Sequence, residues 1–471
     1  MLAADRMLAA QWTASFELER GQRCWREQPR PARPIEPFHH INTARGIRAA
    51  GPVPRPPHGC RAKASTLLKS FLATTRSFSH AAASLISTAS LPASAKARSA
   101  ASPASFPSKA ELLACLPSAL LRIDPAKAWG SLALSLGLSL VAYGLGTQIP
   151  LTPLAAPLWL LYALVTGTVA TGCWVLAHEC GHGAFHPNRR VEATVGFVLH
   201  SLLLVPYFAW QRSHAVHHAN CNHLEAGETH VPPRSDSPSG RSVMALSGWL
   251  GPRLYGIQSL FTHLVLGWPL YLLIGVAGGE DYGSPTSHFW SGTPFRNGSR
   301  ALFPDSFRRP MLLSNLGVLA MLLALALASV QFSLLRVLLV YGLPLLVINA
   351  WLVAYTWMQH TDTNIPHFSS GDWTWAKGAL QTVDRPYGPL LNLLHHGIGS
   401  THVCHHINPR IPHYNAWHAS RLLKLRFPEL VRHDSTPIHR ALWRVATRCA
   451  VVRQHATGGG YFYQPQKVNG F

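Results

Sequence analysis

The chain has 471 residues, of which only 13% are charged, about half the usual share of a soluble protein. Its formal charge is +21, an excess that suits nucleic acid, an anionic lipid surface, an acidic partner or a targeting peptide. The basic residues flank apolar runs or sit near the N-terminus, and no segment resembles a nucleic-acid module, so nucleic-acid binding is set aside. Eight scattered cysteines include no CxxC pair, which argues against a disulfide framework.

In chain order, residues 1–105 read as a basic, Ser/Ala-rich N-terminal extension, disordered or a transit peptide. From Pro37 to Ala110 there is no Asp or Glu, against ten Lys and Arg. Residues 1–36 carry five acidic residues, which fits a transit peptide poorly. Residues 106–471 read as one membrane domain. Trp129 to Ala177 contains no formal charge. At 1.5 Å per residue that stretch would extend about 75 Å as one helix, more than twice a hydrocarbon core. It must fold back, and Gln148–Pro153 offers the turn, which predicts spans at about 130–149 and 154–177. A second hairpin is predicted at 311–330 and 334–358.

Three histidine clusters follow these runs: HECGH (His178, His182), HAVHH (His214, His217, His218) and HVCHH (His402, His405, His406). Residues four apart share a helix face, so His178 projects with His182 and His214 with His218. Imidazole does not name the metal, but eight histidines exceed a mononuclear zinc site and suit two ions side by side. The pattern reads as a membrane-embedded di-iron oxidase. The rival is HECGH as a zinc-protease H-E-x-x-H with Glu179 as base, which leaves six clustered histidines unexplained. Clusters sharing one site must lie on one side of the membrane. Segments 191–210 and 254–277 are therefore predicted to be interfacial or re-entrant, which leaves four spans. Arg189, Arg190, Arg212, Arg308 and Arg309 make the cluster side cytosolic or stromal. The fold class expected is all-α integral membrane: four transmembrane helices in two hairpins, interfacial helices, and a histidine-box cap on the cytosolic side. Glu179, Asp362 and Asp384 are predicted to orient the ring N–H groups.

Long strings accompany the boxes: HECGHGAF, LVPYFAWQRSHAVHH, HTDTNIPHF and GALQTVDRPYGPLLNLLHHGIGSTHVCHHINPRIPHYNA. Through them, from about Phe106 to Tyr463, the chain resembles the membrane-bound fatty acid desaturases, in the methyl-end branch that makes Δ12 and ω-3 double bonds. The resemblance implies that the eight box histidines are ligands of two Fe ions, with O2 as co-substrate and an acyl lipid as substrate. It also implies a further histidine ligand, for which His396 is the first choice and His360 the second. His402 stands where front-end desaturases have Gln, and no cytochrome b5 motif (HPGG) occurs. Electrons then come from a separate carrier, cytochrome b5 in the endoplasmic reticulum or ferredoxin in a plastid. HAVHH lacks the usual Arg after its first His, and HGAF departs from the common plant version, but neither removes a ligand. The strings around the second and third boxes look closer to ω-3 members than to Δ12 members. A hydroxylase or conjugase on the same site is the further alternative.

Overall fold

The computed structural model describes residues 106–282, 285–291, 300–456 and 458–464. The N-terminal extension read from residues 1–105 lies outside them. Among the described residues the regular structure is helical but for one short antiparallel pair, Val452–Gln454 with Tyr461–Tyr463. Helix α1 (Lys109–Ala114) opens on a capping box in which Ser108 and Glu111 satisfy each other's backbone N–H. The first hairpin is α2 (Pro125–Gly146) and α3 (Ala156–His182), joined by a turn at 147–155. Its helices sit where the charge-free stretch predicts them, and α3 runs on past the apolar run to carry the first box. Asp124 caps α2 and Pro125 occupies its first position, where the missing N–H costs nothing.

Segment 191–210 is not one helix. It is divided between α4 (Arg189–Leu202) and α5 (Tyr207–Ala219), which meet at 104°. Pro206 blocks continuation, and α5 carries the second box. Helix α6 (Pro238–Phe261) runs through a π-helical stretch, Thr262–Gly267, into α7 (Trp268–Ile274). These 37 residues are kinked at Gly251, whose φ is +69° and which precedes Pro252. Both ends border the same loop. Before α6, Ser235 N–H donates to Val452 C=O, and after α7, Gly279 N–H donates to Gly227 C=O and Val231 N–H to Ala277 C=O.

The second hairpin is α8 (Arg308–Phe332), α9 (Leu334–Val337), a π-helical turn Leu338–Gly342, and α10 (Leu343–His360). Helix α8 buries only Met311, Ser314, Gly317 and Val318; Leu327 and Val330 near its far end are exposed, as a lipid-facing surface requires. Among the described residues, five helical segments are long and apolar enough to cross a membrane: 125–146, 153–182, 238–274, 305–332 and 334–360. Most of segment 254–277, predicted to be interfacial or re-entrant, thus falls within the longer apolar segment 238–274. Beyond α10 come α11 (Trp375–Leu380), α12 (Gly388–Leu394), α13 (His402–Ile407) with the third box, α14 (His413–Arg426) and α15 (Ile438–Arg448). The main core is the packing of α3 against α2, α4 and α10, with Trp174, Leu176, Tyr207, Trp210, Ile348 and Trp357 inside it.

Candidate metal centre

The boxes fold together because three helix ends converge. Helix α3 ends at His182, and Gly183 caps it at φ +75°, a conformation glycine adopts without strain. A side chain there would strike the Arg189 guanidinium. The turn is completed by Glu192, which accepts from the N–H groups of Phe185 and His186 and pairs with Arg189 at 2.9 Å. Gly181 has a packing role, since a Cβ at that position would lie 2.8 Å from the Trp210 ring. Trp210 in turn stacks on His214, with centroids 4.7 Å apart and planes 20° apart.

Two groups of imidazoles result. In the first, ligand atoms of His178, His182, His214, His218 and His405 all lie within 4.8 Å of one another. His178 Nε2 is 2.9 Å from His214 Nε2 and 3.2 Å from His182 Nε2. In the second, His217, His360 and His406 meet the same limit. His402 joins them with Nε2 3.0 Å from His360 Nε2, itself 3.2 Å from His217 Nε2. The groups abut where His218 stacks on His406 at 4.2 Å.

These residues fit a pair of first-row metal ions. An ion about 2.1 Å from two nitrogens at roughly a right angle holds them about 3 Å apart, the spacing seen here. Among the described residues no carboxylate joins either group. Several buried ring nitrogens, among them His178 Nδ1, His402 Nδ1 and both of His406, have no hydrogen-bond partner among the described residues. Burial pushes His217 down to about 4. Burial, then the neighbouring imidazoles, holds His402, His405 and His406 well below the ordinary histidine value. The rings are neutral and their lone pairs are available.

The ninth imidazole is His360, not the first-choice His396. His396 stands at φ +53°, bonds Ser135 Oγ at 2.9 Å and packs on the His413 ring at 4.7 Å, outside both groups. The other nitrogen of His360 faces Cys221 Sγ at 3.4 Å. The three acids expected to orient box rings make other contacts. Glu179 accepts from His413 N–H at 2.6 Å, and its second oxygen is 2.8 Å from His413 Nδ1, tying the first-box helix to the start of α14. Engaged there, it is not placed as the base of an H-E-x-x-H protease. Asp384 accepts from Val403 N–H at 2.9 Å and pairs with Lys424 at 3.2 Å, fixing the backbone of the third box. Asp362 pairs with Arg385 at 2.8 Å and Arg444 at 2.6 Å. Asp434 binds both of those arginines, so four charges close a partly buried cluster beside the third box. Arg385 has no exposed side-chain surface and donates to Met358 C=O, while Ser400 donates to Arg385 C=O. The partners His413 and Arg385 escaped sequence reasoning, because neither sits in a spacing that marks a site.

The fatty acid desaturase family profile matches residues 156–437, more than half of the chain, and that span contains all nine imidazoles. The chain belongs to the fatty acid desaturase family, whose members are oxidoreductases, and its apolar helices mark it as an integral membrane protein. It is 39% identical over 314 residues to a Delta(12)-fatty-acid desaturase of Arabidopsis thaliana, covering 66% of this chain and 78% of that protein. It is 41% identical over 300 residues to a Delta(12)-fatty-acid desaturase of Vernicia fordii, covering 64% and 75%. It is 38% identical over 316 residues to an oleoyl-12-hydroxylase of Ricinus communis, covering 66% and 78%. The ω-3 lean read from the second and third boxes finds no support in these relatives, whose names place their activity at carbon 12. Box spacing reports the metal site, whereas the carbon attacked depends on the shape of the acyl pocket.

Proposed function

We propose that this enzyme is a Δ12 acyl-lipid desaturase, inserting a cis double bond into an oleoyl chain with O2 as co-substrate. The reading is carried by nine neutral imidazoles in two abutting groups, taken with relatives named for Δ12 desaturation. The balanced reaction takes O2, two electrons and two protons with the acyl chain, and yields one C=C bond and two waters. Two bound Fe ions would supply the oxidising chemistry. His178, His182, His214, His218 and His405 would hold one and His217, His360, His402 and His406 the other. The protein supplies rigidity: Glu179 ties the first box to α14, Asp384 fixes the third, and Trp174 and Trp210 wall one side of the histidines against water. The oleoyl hydroxylase relative favours hydroxylation at the same carbon as the second reading.

Four spans accord with this reading. With the boxes together, an even number of crossings separates the second box from the third. Segment 238–274 is then the one that enters and leaves on the same side. The kink at Gly251 and the return of both ends to the 225–235 loop support that path. The positive-inside rule puts the boxes on the cytosolic or stromal side. There an electron carrier such as cytochrome b5, or ferredoxin in a plastid, would dock, in the endoplasmic reticulum or a plastid membrane respectively.

Expression in a host that makes oleate but no polyunsaturated lipid tests the reading by fatty-acid analysis. Linoleate is expected; 12-hydroxyoleate would favour the second reading, and α-linolenate formed only from supplied linoleate would restore ω-3. His405→Ala should abolish product while the protein stays in membranes at normal abundance, and retained product would remove the third box from the ligand set.

A further inference from the structure

Two tryptophans lie directly on the metal-binding histidines. Trp174 stacks on His178 with centroids 5.5 Å apart and planes 23° apart, and Trp210 stacks on His214. From Trp174 the aromatic contacts continue away from the site. Trp268 meets Trp174 edge-on at 6.3 Å, and Tyr271 stacks on Trp268 at 5.3 Å. The three tryptophans are buried. The chain ends on an acid–base pair: Tyr271 Oη donates to Glu228 Oε1 at 2.8 Å, and the second Glu228 oxygen has no partner among the described residues. Glu228 is 4% exposed, and burial pushes its carboxyl up to about 8, so the ionised form that can take a proton is the minor one at neutral pH and the major one only above about 8. Neither histidine group uses this buried carboxyl.

We propose that His178, Trp174, Trp268 and Tyr271 form an electron-transfer chain that drains oxidising equivalents from the metal site when no acyl chain is present, with Glu228 taking the proton. The proposal rests on the desaturase reading. Dioxygen is the oxidant. One electron leaves the Tyr271 phenol and passes through Trp268 and Trp174 to the oxidised site, which is reduced by one electron. The phenol O–H bond breaks, its proton crosses to the ionised Glu228 carboxylate, and a phenoxyl radical remains. A thiolate-class reductant later returns the electron, and the proton recrosses to the phenol. Each step between neighbouring rings is short, and all of them run through buried aromatic surface.

Full-length enzyme loaded with iron, reduced and exposed to O2 without acyl lipid should yield a protein-based organic radical by freeze-quench electron paramagnetic resonance. Its spectrum should narrow in protein grown on ring-deuterated tyrosine. Tyr271→Phe keeps the ring and removes the hydroxyl. It should lose the signal and be inactivated several-fold faster in O2 without substrate, with iron content and linoleate formation from oleoyl lipid unchanged. Trp268→Leu should lower the radical yield several-fold. An unchanged signal in Tyr271→Phe overturns the proposal, as does wild-type enzyme that makes product but no radical. A tyrosyl radical without any linoleate would uphold the chain and sink the Δ12 reading.

Discussion

The two imidazole groups are chemically alike and assembled differently. The first draws all five of its members from the boxes, on the ends of α3, α5 and α13, and three of them are half-buried. The second lies deeper: His217, His360 and His406 are all buried, and His360 is a lone histidine at the end of a membrane helix. Helix periodicity pairs His178 with His182 and His214 with His218 in the first group, and the docking of α13 adds His405. The second exists only when α10 is docked, and its integrity depends on the tertiary contacts that hold the end of that helix.

The strongest test of this contrast is His360→Ala beside His396→Ala. His360→Ala removes the one nitrogen that sits within 3.2 Å of both His217 and His402, so product should fall to background and bound iron toward one per polypeptide. His396→Ala removes the bond to Ser135 and the packing on the His413 ring, touches neither group, and should leave two irons. Metal analysis and lipid analysis on the same membranes decide between them, and equal losses would dissolve the distinction.

Next in size is Arg385→Ala. It leaves Asp362 and Asp434 paired with Arg444 alone, at a cost of about 1–3 kcal/mol. A lowered thermal midpoint in detergent, with the second group failing first on metal titration, is the expected result. The ion cluster also marks what the sequence could not tell. Apolar runs and their lengths were enough to place both hairpins, and the H-x-x-x-H and H-x-x-H-H spacings to single out eight of the nine grouped imidazoles. Nothing local says that Arg385 meets Asp434 or that His360 outranks His396, because both depend on how segments far apart in sequence cross. The orientation of Glu179 was closer to hand: one residue along a helix turns about 100°, so it leaves the face that His178 and His182 share.

That rotation makes Glu179→Gln a smaller and more selective perturbation. The amide keeps an oxygen for His413 N–H and replaces a charged hydrogen bond with a neutral one at His413 Nδ1. Because Glu179 holds His413 and no box ring, iron affinity should drop by less than the roughly 10-fold known for groups bonded directly to metal ligands, and the loss should fall on the first group, which includes His178 and His182. Glu179→Ala should lose more. A Gln variant with no product despite full iron would instead return Glu179 to a direct role in the chemistry.

The mildest change probes the same helix through packing. A methyl at position 181 has nowhere to go, because the Trp210 ring lies 2.8 Å from where it would be built. In an open helix, Gly→Ala stabilises by about 1 kcal/mol. Here overpacking opposes that gain with about 1–3 kcal/mol, so Gly181→Ala should be neutral to modestly destabilising. Its signature is displacement of Trp210 from His214, hence a change in tryptophan fluorescence together with a reduced rate at unchanged iron content. A variant that is more stable and fully active would show that Trp210 yields freely, and that the stacking on His214 does not hold the first group in place.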